Sequence, residues 1–276
     1  MPELPEVETV VRGLAQRVSG DVIESVWIGR KPEPLKSPAH EIALALEGAN
    51  IERVERAGKH IILQLNRRTV DGEAQWIVHL GMTGQLLIVP PGSNIAKHTH
   101  LIARLRSGRE LRFIDPRRFG RLAVRTVRAG EKAHEWVGGH EPLEITPEQF
   151  VALFRKRKTP IKSALLNQKL LRGVGNIYAD ESLFRAGIRP RHRAASLTPA
   201  ELKALRRHLQ TILKQAIAAG GSSISDFVDV GGESGYFQFR HRVYGREGEP
   251  CVKCKSRIKR LVIAGRSAHY CPKCQK

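Results

Sequence analysis

The sequence lacks two features that would place it in or across a membrane. No apolar run approaches the roughly 20 residues that a membrane-spanning helix needs. The first ten residues, MPELPEVETV, carry acidic side chains and do not resemble a secretory signal peptide. We therefore expect an intracellular protein with no membrane partner.

Acidic residues are scarce relative to basic ones, since 27 Asp and Glu face 47 Lys and Arg, a formal net charge of +20. A positive field of this size concentrates polyanions at the protein surface. Nucleic acid is the leading partner. A ribosomal or anionic-membrane partner is the weaker alternative, and no basic amphipathic helix supports a membrane anchor.

Cysteine is absent from the first 250 residues, and all four cysteines fall within the last 26 (Cys251, Cys254, Cys271 and Cys274). The Cys-x2-Cys-x16-Cys-x2-Cys spacing is typical of a tetrahedral zinc site, in which each pair closes a tight turn over one metal. Iron would accept the same cage, and disulfides are disfavoured in an intracellular protein. We predict one structural Zn²⁺, because four thiolates leave no open position for a substrate.

Hydrophobic patterning predicts an α+β protein. An amphipathic first helix is followed by segments rich in Ile, Val and Leu, which are typical of the strands of a sandwich or barrel. These strands are predicted at 22–28, 53–65, 75–80, 85–89, 99–105, 110–114 and 122–127. The second half is helical, with predicted helices at 147–158, from 160 onward, at 176–186 and at 199–219.

Composition divides the chain into three parts: a β-rich domain at 1–132, a helical domain at 133–240 and the four-cysteine ribbon at 241–276. Polar, aperiodic sequence at 128–139 predicts the linker between the first two. Residues 220–235 are rich in Gly, Ser and Asp with few core residues, which predicts a mobile loop.

The first residues of the chain could carry out covalent catalysis with a terminal amine. Removal of Met1 would expose the secondary amine of Pro2, and an α-amino group is partly unprotonated near neutral pH. Attack of this amine on a sugar carbon gives an iminium, and Glu3 and Glu6 could donate and accept protons. The alternative is that this segment only starts an amphipathic helix.

Several other motifs are candidates for contact with nucleic acid. Arg117 and Phe119 lie in a turn at a strand end, where an exposed Phe could insert between stacked bases, and Met82 could form a second apolar wedge. Both apolar side chains could instead pack in the core. A glycine-rich turn precedes a helix at Asn176, which suits a phosphate, or is an ordinary turn with an Asn cap. His98 could bind a metal or a phosphate.

Five motifs together resemble the formamidopyrimidine-DNA glycosylase (Fpg/Nei) family: MPELPEVETV, HLGM-x-G, DPRRFG, GVGNIYADESLF and the terminal four-cysteine ribbon. The resemblance runs from Pro2 to Cys274. It implies an N-terminal β-sandwich carrying the catalytic helix, then a helix–two-turns–helix domain ending in a zinc β-ribbon. It also implies a bifunctional glycosylase and abasic-site lyase that removes 8-oxoguanine and formamidopyrimidines from damaged duplex DNA and nicks it by β,δ-elimination.

By position, the resemblance makes Pro2 the Schiff-base nucleophile and Glu3 the acid that opens the sugar ring. It also implies that Glu6 supports proton transfer or orients the lesion, that Lys59 assists the amine and contacts phosphate, and that Arg266 joins this catalytic set by gripping a phosphate. The implied DNA contacts are Met82, His98, Arg117, Arg118, Phe119, Lys162, Asn176 and Tyr244.

Two alternatives to this function are kept. The first is an oxidised-pyrimidine glycosylase of the endonuclease VIII branch, although the PELPEV start favours the formamidopyrimidine branch. The second is a zinc-ribbon DNA-binding protein without enzymatic activity. The resemblance further implies a monomer in the bacterial cytoplasm, associated with the nucleoid.

Overall fold

The computed structural model describes residues 1–69, 72–127, 134 and 136–276. Its elements in chain order are α1 (Leu4–Val18), β1 (Ile23–Ile28), α2 (Ala39–Leu46), β2 (Asn50–Ala57), β3 (His60–Thr69), β4 (Gly72–His79), β5 (Gln85–Val89), β6 (Thr99–Leu105), β7 (Glu110–Ile114), β8 (Arg121–Val127), α3 (Pro147–Phe154), α4 (Ile161–Leu165), α5 (Asn176–Ala186), α6 (Pro199–Ala218), β9 (Lys259–Ile263) and β10 (Arg266–Tyr270). Among the described helices, none combines the length and apolar character required to cross a membrane.

The β-rich half forms two four-stranded antiparallel sheets, with strand orders β1-β6-β7-β5 and β2-β3-β4-β8. The predicted sandwich is therefore confirmed. Its core contains the fully buried side chains of Trp76 and Phe113 together with the apolar face of α1, which includes Leu14. Because apolar residues recur at helical spacing along α1, one face of this helix is buried and its N-terminal turn is fixed against the sandwich.

The strand predicted at 53–65 is two strands in the structure. Gly58 has a φ of 59° and, with Lys59, forms the tight turn between β2 and β3. Glycine adopts this left-handed backbone without a steric penalty, which permits the reversal inside an otherwise apolar run. The correction matters for function because it moves Lys59 from the middle of the predicted strand to the tip of a hairpin.

The second half contains α3, α4, α5 and α6, followed by the β9–β10 hairpin. Thr146 and Thr198 form capping boxes at the start of α3 and α6, as expected for Thr followed three residues later by Gln or Glu. Helix α3 ends at Phe154 rather than at the predicted residue 158.

The described residues divide into two compact units, and the division of the chain into three consecutive parts stays a prediction. The first unit is Met1–Trp136 with Gly220–Tyr236, and the second is Val137–Ala219 with Phe237–Lys276. The 220–235 segment belongs to the first unit because its Val230 is 1% exposed and packs in the sandwich core. The prediction of a loop with few core residues is corrected at that position. The predicted boundary after 132 and most of the 128–139 linker lie outside the described residues.

Candidate active site, nucleic-acid interface and metal centre

The N-terminal turn of α1 gathers the candidate nucleophile and both carboxylates. Pro2 is buried, and Glu3 and Glu6 are 3% and 1% exposed. The backbone N–H of Glu3 donates to Glu6 Oε2 at 2.8 Å, and the two carboxylates form a reciprocal capping box. The alternative that this segment only starts a helix is therefore incomplete, because the same capping arrangement places two carboxylates beside the terminus.

Electrostatics around the terminus favour an unprotonated amine. In the full-length chain the terminal amine is that of Met1, and burial is the main cause that lowers its pKa. The charge of Lys59 lowers it further, while Glu3 and Glu6 oppose the shift. Lys59 is only 7% exposed, so this hairpin tip carries its ammonium into the site rather than into solvent. Once Met1 is removed, the Pro2 amine becomes the terminus within the same surroundings.

The segment 220–236, here called the glycine loop, packs against the start of α1. The backbone N–H of Ser222 donates to Glu6 Oε1 at 2.8 Å. Gly221 has a φ of 81°, and a Cβ there would lie 3.0 Å from Glu6 Oε1. A Cβ on Gly235 would meet the carbonyl oxygen of Gly220 at 2.3 Å, so the two ends of the loop touch closely. The predicted mobility of this segment stays a prediction, and its ends require glycine.

Two neighbouring turns, 81–84 and 116–119, carry the predicted intercalating residues and are here called the wedge turns. Met82 is 40% exposed and Phe119 is 54% exposed. The exposed guanidinium of Arg117 lies 4.9 Å from the centroid of the Phe119 ring. The alternative of a core Phe is excluded by this exposure, as is that of a fully buried Met. Both turns present apolar side chains to solvent, as insertion into a base stack requires.

A buried carboxylate that sequence reasoning missed holds the two wedge turns together. Asp115 is fully buried, and its Oδ1 accepts a 2.6 Å hydrogen bond from Thr83 Oγ1 while its Oδ2 accepts a 2.7 Å bond from the Gly120 N–H. Thr83 Oγ1 in turn accepts the backbone N–H of Arg117 at 3.3 Å. A sequence signal existed, since an Asp before a Pro at a strand end commonly organises a turn through its side chain.

His98 and His100 both contact Asp115, and neither belongs to a cluster of metal ligands among the described residues. His100 is 2% exposed, and its Nε2 lies 3.0 Å from the carbonyl oxygen of Asp115. His98 has a φ of 67°, and its carbonyl accepts the Asp115 N–H at 3.0 Å. The His98 ring is half-buried, and a phosphate contact there remains a prediction.

Arg118 has a φ of 59° and forms an ion pair with Glu33, so a DNA contact by Arg118 also stays a prediction.

In the second unit, α5 begins with an N-terminus that no side chain caps. Its N-cap is Gly175 rather than Asn176, so the alternative of an ordinary Asn cap is wrong. Asn176 Oδ1 is buried and has no hydrogen-bond partner among the described residues. The N-terminus of a helix attracts phosphate through its dipole and its backbone N–H groups, so the contact at this position stays a prediction.

Arg266 lies at the tip of the β9–β10 hairpin. Ala264 and Gly265 have φ values of 47° and 75°, the geometry of a two-residue turn, and Arg266 pairs with Ile263 across it. The Arg266 side chain is exposed.

Lys162 has a different role from the predicted one. Its side chain is fully buried, and Nζ lies 2.6 Å from Asp180 Oδ1 and also donates to the carbonyl oxygen of Ser267. Asp180 Oδ2 accepts the backbone N–H of His269 at 2.9 Å. In this structure Lys162 has no exposed surface with which to contact DNA, which corrects the prediction. Its ion pair instead fixes the strand that follows Arg266.

Tyr244 is half-buried. Its ring packs edge-on against His269 at 5.2 Å between centroids. A DNA contact at Tyr244 stays a prediction.

The four cysteines form the metal centre that their spacing predicts. Their sulfur atoms all lie within 4.8 Å of one another. Cys251 and Cys274 Sγ are 3.9 Å apart, and Cys254 and Cys271 Sγ are 3.4 Å apart. Tetrahedral zinc with bonds of about 2.3 Å requires sulfur separations of about 3.8 Å, so the donor set fits Zn²⁺. No other cluster of three or more His, Cys, Asp or Glu ligands occurs in the part of the chain that the structure describes.

Three domain models of one protein family match consecutive parts of the chain. The formamidopyrimidine-DNA glycosylase N-terminal domain matches residues 1–122, and the H2TH domain of the same enzyme matches 139–228. The zinc finger found in FPG and IleRS matches residues 248–276. Fold, terminal amine site and metal centre thus define a zinc-finger DNA glycosylase.

Full-length relatives agree with these models. The chain is 44% identical to the formamidopyrimidine-DNA glycosylase of Solibacter usitatus, with all of both chains covered. The MutM (Fpg) structure from Thermus thermophilus is 40% identical with a TM-score of 0.85, covering 99% of this chain and 98% of that one. A Lactococcus lactis Fpg variant in complex with Fapy-dG-containing DNA is 32% identical with a TM-score of 0.90 and full coverage of both chains. The chain belongs to the formamidopyrimidine-DNA glycosylase family.

The first prediction concerns the carboxylate that joins the wedge turns. In Asp115→Asn the amide keeps one acceptor, so only one of the two donors, Thr83 Oγ1 and the Gly120 N–H, stays satisfied. We expect a loss of about 1–3 kcal/mol in the free energy of unfolding, measured by denaturant titration. Glu52→Gln, the same chemical change at an exposed position, should have little effect. Equal stability of both variants would contradict this role of Asp115.

The second prediction concerns the zinc. A small apolar cluster, which includes Phe184, Val243 and Ile258, packs around Cys251 and Cys271. Metal ligation supplies folding free energy to such a small core, so Cys251→Ser should lose stoichiometric zinc and sharply weaken duplex binding while the sandwich stays folded. Zinc content by mass spectrometry, duplex affinity and circular dichroism test this. Val262→Ala, at an exposed position of β9, is the control, and unchanged DNA affinity without zinc would overturn the prediction.

Proposed function

We propose that this protein is a bifunctional DNA glycosylase and abasic-site lyase that removes oxidised purines, 8-oxoguanine and formamidopyrimidines, from duplex DNA. One observation carries the proposal: the first turn of α1 and the β2–β3 hairpin bring Pro2, Glu3, Glu6 and Lys59 to one buried site. A buried amine with a lowered pKa is a nucleophile at neutral pH, and buried carboxylates beside it can move protons.

The proposed reaction starts when the Pro2 amine attacks C1′ of the damaged nucleotide. Glu3 protonates the oxygen of the sugar ring, which opens, and the base leaves with the glycosidic electron pair and takes up the proton that the Pro2 amine releases. The resulting iminium between Pro2 and C1′ makes a C2′ proton acidic, and its loss expels the 3′ phosphate by β-elimination. A second elimination expels the 5′ phosphate, and hydrolysis of the iminium releases the amine.

Glu6 acts in this scheme as a positioning residue. Both of its carboxylate oxygens accept backbone N–H groups, one from Glu3 and one from Ser222. It therefore fixes the start of α1 and holds the glycine loop beside it. Burial is the main cause that lowers the pKa of the terminal amine, and the charge of Lys59 lowers it further.

The lesion must leave the duplex before Pro2 can reach C1′, because a stacked nucleotide keeps its sugar inaccessible. The exposed Met82 and Phe119 side chains would fill the vacated space, with Arg117 held against Phe119. Zinc supplies structure rather than chemistry, since four thiolates close its coordination sphere.

Relatives support the class of substrate. The Lactococcus lactis enzyme has been crystallised with DNA containing Fapy-dG and with DNA containing an abasic site. It has also been crystallised with DNA containing an oxidised pyrimidine, at 32% identity and a TM-score of 0.89. The endonuclease VIII-like alternative is therefore kept as an outcome of the substrate test: excision of thymine glycol far faster than 8-oxoguanine would overturn our branch assignment.

We further propose that the protein acts as a monomer in the bacterial cytoplasm at the nucleoid. Support comes from the bacterial origin of the relatives and from the DNA contained in the complexes of the Lactococcus lactis enzyme.

The third prediction tests the nucleophile. Pro2→Gly should lose efficient glycosylase action on duplex DNA with 8-oxoguanine opposite cytosine, because a primary amine on a smaller residue changes both the nucleophile and its placement. The measurement is borohydride trapping with mass mapping of the adduct. Pro5→Ala, which removes the other proline of this turn but keeps the terminal amine, should still form the adduct. A wild-type adduct on a residue other than Pro2, or DNA binding with no adduct, would refute the proposed chemistry.

The fourth prediction tests the wedge. Because Phe119 is 54% exposed, Phe119→Ala should change the free energy of unfolding by less than about 1 kcal/mol, far below the 3–5 kcal/mol of a core Phe. Excision from duplex should fall more than cleavage of a preformed abasic site, where no base has to be flipped. Leu44→Ala, at another exposed apolar position, should leave both rates unchanged. Equal loss on both substrates would contradict the wedge assignment.

A further inference from the structure

A groove of about 610 Å³ lies in the second unit, apart from the residues assigned above. Side chains from the end of α5, from α6, from the segment after the glycine loop and from the first cysteine turn line it. They are Arg185, Gln215, Phe239, Arg240, His241, Arg242, Val252 and Lys253. No acidic residue is among them, so the groove presents four cations and no anion.

Three of these cations are available to a ligand. Among the described residues, Arg240, Arg242 and Lys253 form no ion pair with an acidic side chain. Arg185 is the exception, because its guanidinium is mostly buried and lies 3.8 Å from Glu181 Oε2, while Glu181 Oε1 accepts the backbone N–H groups of residues 242–244. The cations open to a ligand are therefore Arg240, Arg242 and Lys253. His241 is neutral at pH 7, because burial and the charge of Arg185 lower its pKa to about 4.

The groove also exposes apolar surface beside the charges. Phe239 is 80% exposed, the largest exposure of any large hydrophobic residue in the described part of the chain, and Val252 is 46% exposed. The Lys253 ammonium lies 5.3 Å from the centroid of the Phe184 ring, which holds the lysine over the cysteine turn. An exposed aromatic ring bordered by cations offers a surface on which a flat, anionic ligand can stack.

The groove is separate from the predicted duplex contact on the same helix. Arg185 lies nine residues after Asn176 in α5, about 13 Å along the helix axis. Asn176 is the first residue of this helix, whereas Arg185 is in its last turn. A phosphate held at Asn176 therefore does not occupy the groove.

We propose that this groove is a second nucleic-acid site, one that binds single-stranded DNA. A basic groove that follows the backbone, combined with an exposed aromatic ring on which a base stacks, is the arrangement used for single strands. Phosphates contact Arg240, Arg242 and Lys253, and an unpaired base stacks on Phe239. A duplex keeps its bases stacked inside and offers none to Phe239. An acidic peptide would use the cations alone, so the exposed ring favours single-stranded DNA.

The test measures fluorescence anisotropy of a labelled oligo-dT with the zinc-loaded full chain. Unlabelled duplex carrying a non-cleavable abasic analogue is present at saturation, so the proposed catalytic site is occupied. We expect wild type still to bind the oligonucleotide. The double variant Phe239→Ala/Arg240→Ala should bind it about tenfold more weakly or worse, because both a stacking platform and a phosphate contact are lost.

The matched control is Leu44→Ala/Lys203→Ala, which removes one exposed apolar residue and one cation elsewhere and should bind like wild type. Borohydride trapping on 8-oxoguanine duplex should be equal in all three proteins, which separates this site from the proposed catalytic function. Three results would overturn the proposal: complete displacement of oligo-dT by the duplex, unchanged affinity in the groove variant, or poly-glutamate binding as tight as oligo-dT and equally sensitive to the variant.

Discussion

The candidate active site depends on one buried carboxylate, that of Glu6. A carboxylate with 1% exposure must have its charge met by hydrogen bonds, and here both oxygens accept backbone N–H groups. One bond fixes the Glu3 backbone at the start of α1 and thereby the terminus before it. The other holds Ser222 in the glycine loop. Two segments more than 200 residues apart in sequence are thus joined by a side chain that takes no part in the proposed bond making.

Buried carboxylates accept backbone N–H groups at three other places near candidate functional side chains. Asp115 holds the two wedge turns, Glu181 holds the backbone of residues 242–244, and Asp180 holds the strand after Arg266. Acidic residues are few relative to basic ones in a chain with a net charge of +20. These three acids and Glu6 are all buried. These buried acids accept backbone N–H groups and fix loops, while most basic residues other than Lys59, Lys162 and Arg112 remain outside for polyanions. The chain therefore divides anchoring and binding between the two signs of charge.

Lys162 and Lys59 show how one residue type takes opposite roles. The family resemblance implied that Lys162 contacts DNA, yet it is fully buried in an ion pair with Asp180. Lys59 follows a glycine at a hairpin tip, and the hairpin turns it toward the terminal amine. Neither the buried partner of Lys162 nor the reversal at Gly58 is visible in local periodicity, because both depend on contacts between distant segments.

The sequence by itself determined the α+β class, the positions of most strands and the zinc ligands, because each rests on local chemistry: side-chain alternation and ligand spacing. It also predicted Pro2 as the nucleophile, because a proline follows Met1. Only the tertiary structure decided that Val230 joins the sandwich core, that Asp115 and Thr83 couple the wedge turns, and that a cationic groove forms around Phe239. The physical reason is that burial and hydrogen-bond partners are properties of packed surfaces. A sequence motif identifies residues that could bind or react. Packing between segments far apart in sequence determines which of these residues remain exposed.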